Sequence, residues 1–221
     1  MKQLDKVLPR KLWEATTIHE NNEHMVEIQE SEVILLSEYA KRNNEARYVR
    51  ASLYKMLKKV SERLPSEYKL VIIEGYRSVQ SQQEAWDRMW SKIQTAWPDL
   101  TDEEIERKVR LYVAKPSLLA NHNCGGAIDL TLAHTDGVVI DMGTLHPSQE
   151  DRAEAIDKFP MFSKEITDEQ ARNRTILRDA MVAAGFVWYP GEWWHYCWGD
   201  RMWAVYTEQK DCVYGPINSL V

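Results

Sequence analysis

His122 and Asp129 are separated by Asn-Cys-Gly-Gly-Ala-Ile, and Glu192 and His195 by a pair of tryptophans. The Gly125-Gly126 pair breaks any helix, so His122 and Asp129 do not share a helical face. Strand periodicity accounts better for the residues that follow. Ile128, Leu130 and Leu132 point one way, into a core, while Ala127, Asp129 and Thr131 point the other. Asp129 thus projects from the non-core face of an apolar strand, and the glycine bend can bring His122 back beside it. An imidazole next to a carboxylate is half of a zinc site. The structural alternative is that Asp129 caps a turn and His122 lies on the surface.

The second stretch, Gly191-Glu192-Trp193-Trp194-His195, follows Pro190. A charged glutamate among aromatics is unfavourable unless it has a partner or a task. A catalytic zinc site needs three protein ligands, an open position for water and a carboxylate beside that water. His122, Asp129 and His195 would be the ligands and Glu192 the base. The alternative is an aromatic core with a salt-bridged Glu192 and a hydrogen-bonded His195. A third stretch, Glu74-Gly75-Tyr76-Arg77, ends an apolar run. Arg77 there could donate two hydrogen bonds to an oxyanion or a carboxylate, or simply pair with Glu74. Cys124 and Cys197 each lie two residues after a candidate histidine, and read as buried free thiols. His19, His24 and His134 are isolated and read as surface residues. GxSxG, Walker A, GxGxxG-helix and HExxH patterns do not occur.

The elements that must hold these residues follow from periodicity. Residues 31–43 read as a helix. Residues 47–64 read as a longer one, with Val49, Leu53, Met56, Leu57, Val60 and Leu64 on one face and Pro65 as its stop. Residues 68–74 are a short β-branched run, hence a buried strand. A helix follows over 79–96. Thr101 with Glu104 forms a capping box for another, up to about 113. Strands over 126–132 and 138–141 are joined by a turn at Thr135-Asp136-Gly137. Thr167 with Gln170 caps a helix running to Ala184, with Gly185 placed to end it. Short aromatic strands are expected at 186–189, 194–198 and 202–207. Helices first and adjacent strands later predict an α+β fold with a small antiparallel sheet.

The 221 residues suit one or two domains, and without linkers or repeats they read as one, with 1–30 as a poorly patterned arm. Ordinary apolar and charged fractions (44% and 28%) exclude a disordered chain. The net charge of −6 argues against nucleic acid or an anionic membrane as main partner. Three cysteines make no disulfide framework and suit a reducing compartment. With no apolar run of membrane-spanning or signal-peptide length, a cytoplasmic protein is expected. Five of the nine tryptophans fall within residues 188–203. Such a cluster makes a core wall, or a water-excluding wall around a site.

In order, Gly75-Tyr76-Arg77, His122-x-x-Gly125-x-Ala127-x-Asp129 and Glu192-x-Trp194-His195 resemble the zinc D-alanyl-D-alanine dipeptidases of the VanX type, relatives of the VanY-type D,D-carboxypeptidases. The double tryptophan and Asp141-Met142-Gly143 look like the dipeptidase branch. The resemblance spans roughly residues 45–200. It implies an α+β fold with a central antiparallel sheet and one Zn²⁺ on His122, Asp129 and His195. Glu192 would be the general base and acid, and Arg77 would stabilise the transition state. Two positions depart from the family pattern. Ala120 stands where a serine is usual. His146-Pro147 stands where the dipeptidases carry an aromatic-Asp pair that helps hold the substrate's amine.

Three readings compete. The first is a zinc dipeptidase acting on D-Ala-D-Ala or similar dipeptides, with weaker selection for a free amine. The second is a peptidoglycan D,D- or L,D-carboxypeptidase acting on longer stem peptides. The third is a catalytically dead metal-binding module. Retention of Glu192 and Arg77 beside the ligands argues against the third, because a structural zinc needs neither.

Overall fold

The computed structural model describes residues 5–113, 115–117, 121–146, 153–217 and 220. The chain opens with α1 (Arg10–Glu14), β1 (Thr17–Ile18), β2 (Met25–Glu27), β3 (Ile34–Leu36) and α2 (Glu38–Arg42). Then come β4 (Tyr48–Arg50), α3 (Ala51–Ser61), β5 (Tyr68–Glu74), α4 (Val79–Ala96) and α5 (Asp102–Val109). The second half holds β6 (Ala127–His134), α6 (Asp168–Ala183), β7 (Val187–Trp188), β8 (His195–Cys197), α7 (Arg201–Tyr206) and β9 (Asp211–Cys212).

The central sheet has five strands in the order β3-β5-β6-β8-β7. Its β5–β6, β6–β8 and β7–β8 ladders are antiparallel, and β3 adds to the edge parallel to β5. The expected α+β architecture is therefore present, with one parallel edge on an otherwise antiparallel sheet. β6 is buried on both faces, its polar Asp129 and Thr131 included. Ile128, Leu130 and Leu132 enter the main core with Leu53 and Leu57 of α3 and Leu177 of α6. Ala127 packs on the opposite face with Val187, Cys197, Met202 and Tyr206. Each buried aliphatic side chain in such a core contributes about 1.5–3 kcal/mol.

Most helix limits follow local chemistry. Thr101 and Thr167 form capping boxes with Glu104 and Gln170, and Gly185 takes a left-handed φ of 103° just past α6. Four expectations change. Residues 31–43 divide into β3 and α2, because Ser37 caps a new helix by accepting from Ala40 N. Residues 48–50 pair with β2, so the helix expected from 47 begins at Ala51. The segment 138–141 makes a single bridge, Ala133 to Val139, and no strand. Where a strand is expected over 202–207, residues 202–206 belong to α7 and Thr207 is its C-cap; the first turn is capped by Asp200 accepting from Trp203 N. The amino-terminal segment is tied down: β1 pairs with β9 and β2 with β4.

Candidate metal centre

Sheet register places the site. Across three neighbouring strands, Glu74 pairs with Asp129 and Asp129 with His195. An irregularity in β5 between Ile72 and Glu74 sets Glu74 opposite Asp129. His122 arrives from the turn before β6, where Gly125 adopts φ 70° as a bend into the strand requires. Gly75 lets the 46–49 segment pack against the end of β5, since a Cβ there would collide with Tyr48 O. The His122 ring then reaches the Gly75 carbonyl, Nδ1 to O 2.6 Å.

Around the buried Asp129 carboxylate, His195 Nδ1 lies 2.8 Å from Oδ1, and His122 Nε2 lies 3.4 Å from Oδ2. One ligand-type atom from each of His122, Asp129 and His195 falls within 4.8 Å of the others. The sequence-predicted ligand set is thus assembled. Burial pushes the Asp129 carboxyl up, but the His122 and His195 imidazoles outweigh it and hold it well below the usual range. Burial likewise opposes charge on His122, and the Asp129 carboxylate reverses that and raises it.

The donor set fits a divalent cation. A carbonyl only accepts, so His122 Nδ1 carries the proton; without a metal Nε2 meets the Asp129 carboxylate only by taking a second proton, and neutral His122 would turn a lone pair toward it. His195 has the same difficulty. If Nδ1–H donates to Asp129, the buried Nε2 lone pair has no partner; if Nε2 carries the proton, the Nδ1 lone pair faces the carboxylate. A cation bound between these atoms removes both conflicts. Nitrogen and oxygen donors in this ratio suit zinc, and the His122–Gly75 bond is the outer contact expected to orient a ligating ring.

Glu192 and Arg77 line the same cavity, of about 810 Å³, together with the three ligand-type residues. Glu192 is half-buried, and lost hydration raises its pKa although neighbouring imidazoles pull the other way. Arg77 follows its structural alternative as well. Nε donates to Glu74 Oε1 at 2.7 Å, Nη2 to Oε2, and Nη1 to Gln82 Oε1 at 2.6 Å. Glu74 is fully buried and also accepts from Tyr39 OH at 3.0 Å. Burial raises the Glu74 pKa, but the Arg77 guanidinium outweighs it and keeps it lowered.

His146 was read in the sequence only as a departure from the family pattern. It lies in the site, buried, with Nε2 2.9 Å from Asp129 Oδ2. With Glu74 and Asp129 it forms a second set of ligand-type atoms within 4.8 Å. Its ring packs edge-on to Trp194, which packs likewise on Phe159. Its loop is held from α6. Arg174 donates to the carbonyls of Met142, Pro160 and Lys158 at 2.7–2.8 Å, and Asp141 accepts from Gly143 N and Gln170 Nε2. Asp141-Met142-Gly143 is thus an anchor for the loop. Ala120, Pro147, Glu150 and Asp151 lie outside the described residues. Cys124 and Cys197 are buried, and burial pushes both thiols up, away from the thiolate a metal needs. His19, His24 and His134 are exposed.

A family profile described as D-ala-D-ala dipeptidase matches residues 40–214. The chain belongs to the D-Ala-D-Ala dipeptidase family. It is 30% identical over 141 residues to a D-alanyl-D-alanine dipeptidase of Escherichia coli, covering 64% of this chain and 61% of that one. It is 26% identical over 161 residues to a D-alanyl-D-alanine dipeptidase of Synechocystis, covering 65% and 64%. The chain therefore spans just under two thirds of the length of these curated relatives. Among solved structures, the LdcB LD-carboxypeptidase aligns at TM-score 0.48 and 20% identity, over 83% of this chain and 71% of that one. Among the described residues no helix is long and apolar enough to cross a membrane.

Proposed function

We propose that this chain is a zinc metallopeptidase that hydrolyses D-Ala-D-Ala and similar short D,D-dipeptides. The observation that carries the reading is the convergence of His122, Asp129 and His195 beside Glu192 in one cavity. Family membership supplies the substrate class. In this reading His122, Asp129 and His195 hold Zn²⁺, which when bound acidifies water and polarises the peptide carbonyl.

Glu192 takes a proton from the attacking water and passes it to the departing amine. The water oxygen bonds to the carbonyl carbon, the C–N bond breaks, and two D-alanines leave. A carboxylate with a raised pKa suits both halves of that transfer. Arg77, held by Glu74 and Gln82, presents its guanidinium to the charge that develops on the carbonyl oxygen. Its fixed partners keep it in place at no further cost in order during the reaction. His146 helps to hold Asp129 through Oδ2, the oxygen that His122 also faces.

The test is hydrolysis of D-Ala-D-Ala by the zinc-loaded chain, followed by release of free D-alanine. Turnover that is lost on chelation and returns with zinc supports the reading. Full zinc occupancy without turnover of this or related dipeptides would assign the chain to the metal-binding module instead.

A further inference from the structure

His146 moves no proton in the reaction above, yet it is buried in the wall of the same cavity beside two buried carboxylates. One ligand-type atom from each of Glu74, Asp129 and His146 lies within 4.8 Å of the others. One ring nitrogen and two carboxylate oxygens, brought together from three parts of the chain, make a donor set for a divalent cation. Their supports are fixed. Glu74 ends β5 opposite Asp129 on β6, and the loop before His146 is tied to α6 through Arg174 and Gln170. Asp129 belongs to both sets of ligand-type atoms. Its Oδ1 faces His195, and its Oδ2 faces His122 and His146. An ionised carboxylate has about four lone-pair sites on its two oxygens, so it can bridge two cations. Two-metal centres have this arrangement, with their ions about 3.5–4 Å apart.

The two sets differ in what already occupies them. In the first, imidazole nitrogens face a carboxylate and call for a cation. In the second, Glu74 is already paired: it accepts from Arg77 Nε at 2.7 Å, from Arg77 Nη2 and from Tyr39 OH at 3.0 Å. A cation arriving at Glu74 must displace the guanidinium, because two positive charges at that range repel strongly in a dry site. Charge also sets the order of binding. Ionised Glu74, Asp129 and Glu192 carry three negative charges, which one Zn²⁺ and Arg77 balance. A second divalent ion adds a surplus, so it binds after the first and more weakly.

We propose that Glu74, Asp129 and His146 form a second, low-affinity site for Zn²⁺, and that filling it inhibits the enzyme. The second ion shares Asp129 with the first, takes Glu74 from Arg77 and binds a ring nitrogen of His146, whose proton, where it carries one, passes to solvent. Arg77 is then no longer held where the carbonyl oxygen gains charge, so the chemical step slows. The proposal rests on the zinc-peptidase reading for the first ion and for what is inhibited, and on the Glu74, Asp129 and His146 geometry for the second ion.

The experiment titrates zinc chloride into the chain already loaded with one zinc. Calorimetry records binding, initial rates record D-Ala-D-Ala hydrolysis, and zinc X-ray absorption records the distance between ions. The expected result is a second, weaker binding event and a fall in kcat with the same midpoint, reaching about 10²-fold at saturation, the scale of losing one oxyanion donor. A zinc–zinc distance of about 3.5–4 Å should appear with the second ion. That measurement needs no variant. In His146→Gln the amide still donates to Asp129 but is a poor zinc ligand. This variant should keep the first zinc and measurable turnover, which show that it is folded. Its affinity for the second ion should fall by at least about 10–100-fold, the cost of losing even an outer partner of a metal, and inhibition should weaken in step. A native chain that takes only one zinc in excess metal overturns the proposal, as does a second ion without the short zinc–zinc distance. Inhibition that persists unchanged in His146→Gln also overturns it and places the inhibiting ion at Glu192. If one-zinc protein shows no turnover while the second ion binds at the short distance and is lost in His146→Gln, the dipeptidase reading fails and the second metal site stands.

Discussion

Asp129 and Asp200 are both buried, both close to β8, and shifted in opposite directions. Burial raises Asp129, but the imidazoles of His122 and His195 reverse that, so it stays charged. Asp200 meets a backbone N–H of Trp203 and the Cys197 thiol, which do not offset burial, and its pKa is pushed up to about 6. The difference is one of neighbours, since both sites are equally dry. A buried carboxylate surrounded by lone-pair donors is arranged for a cation. One surrounded by N–H and S–H donors is arranged to start a helix. Glu74 and Glu192 repeat the contrast within the cavity. Glu74 is neutralised by Arg77, and Glu192 is left to exchange a proton.

The largest effect should come from the charged member of this comparison. Asp129→Asn keeps shape but removes the charge that holds three imidazoles. It should lower zinc content below about a tenth of a mole per mole and abolish turnover, since a three-ligand site loses its only anionic donor. Metal analysis after dialysis checks this. Stoichiometric zinc in the variant would break the contrast between the two aspartates.

Next in size is Glu192→Gln. Zinc should be retained, while kcat falls roughly 10²–10⁴-fold, the scale of general acid–base catalysis. Comparable turnover in the glutamine variant would place the base elsewhere. Asp141 is then a poor successor, being bound to α6 through Gln170.

His146→Ala should weaken zinc affinity about 10–100-fold, as loss of an outer partner of a ligand does. Competition with a chelating dye measures it. Unchanged affinity would limit His146 to packing against Trp194.

Asp200→Asn gives the smallest effect, and it falls on stability. The native carboxyl titrates near 6 and the unfolded one near 3.8. The native state therefore favours the protonated form. That contribution is fully present below about pH 3.8 and is lost as pH rises through 6. Asparagine keeps the cap and removes the titration. Relative to the variant, the native protein should lose up to roughly 3 kcal/mol between pH 4 and 7. Parallel denaturation curves at both pH values test it.

The cluster of His122, Asp129 and His195 was legible because strand alternation fixes side-chain faces. Once 126–132 reads as a strand, Asp129 and the apolar residues separate, and a glycine bend supplies His122. Glu192 and His195 stood out through the cost of placing them among tryptophans. His146 was not legible as a site residue, since it comes from a loop that long-range bonds from Arg174 hold in place. Its short spacing from Asp141-Met142-Gly143 was the available signal. The Glu74–Arg77 pair was visible as an alternative, and the structure keeps both roles together. α7 was misread because Met202–Thr207 is apolar and aromatic enough for a strand. The capping aspartate at 200 identifies the helix. Ser37 marks the same error in 31–43.

The most direct test of the metal centre is zinc stoichiometry and turnover of D-Ala-D-Ala, measured on one preparation of the native chain and of the His122→Ala/His195→Ala double variant. The account predicts about one zinc per native chain, the stoichiometry of a three-ligand catalytic site. Turnover should vanish with chelation and return with zinc, and the folded double variant should show neither metal nor activity. Full zinc occupancy in that variant, or native turnover that survives complete removal of metal, would contradict it.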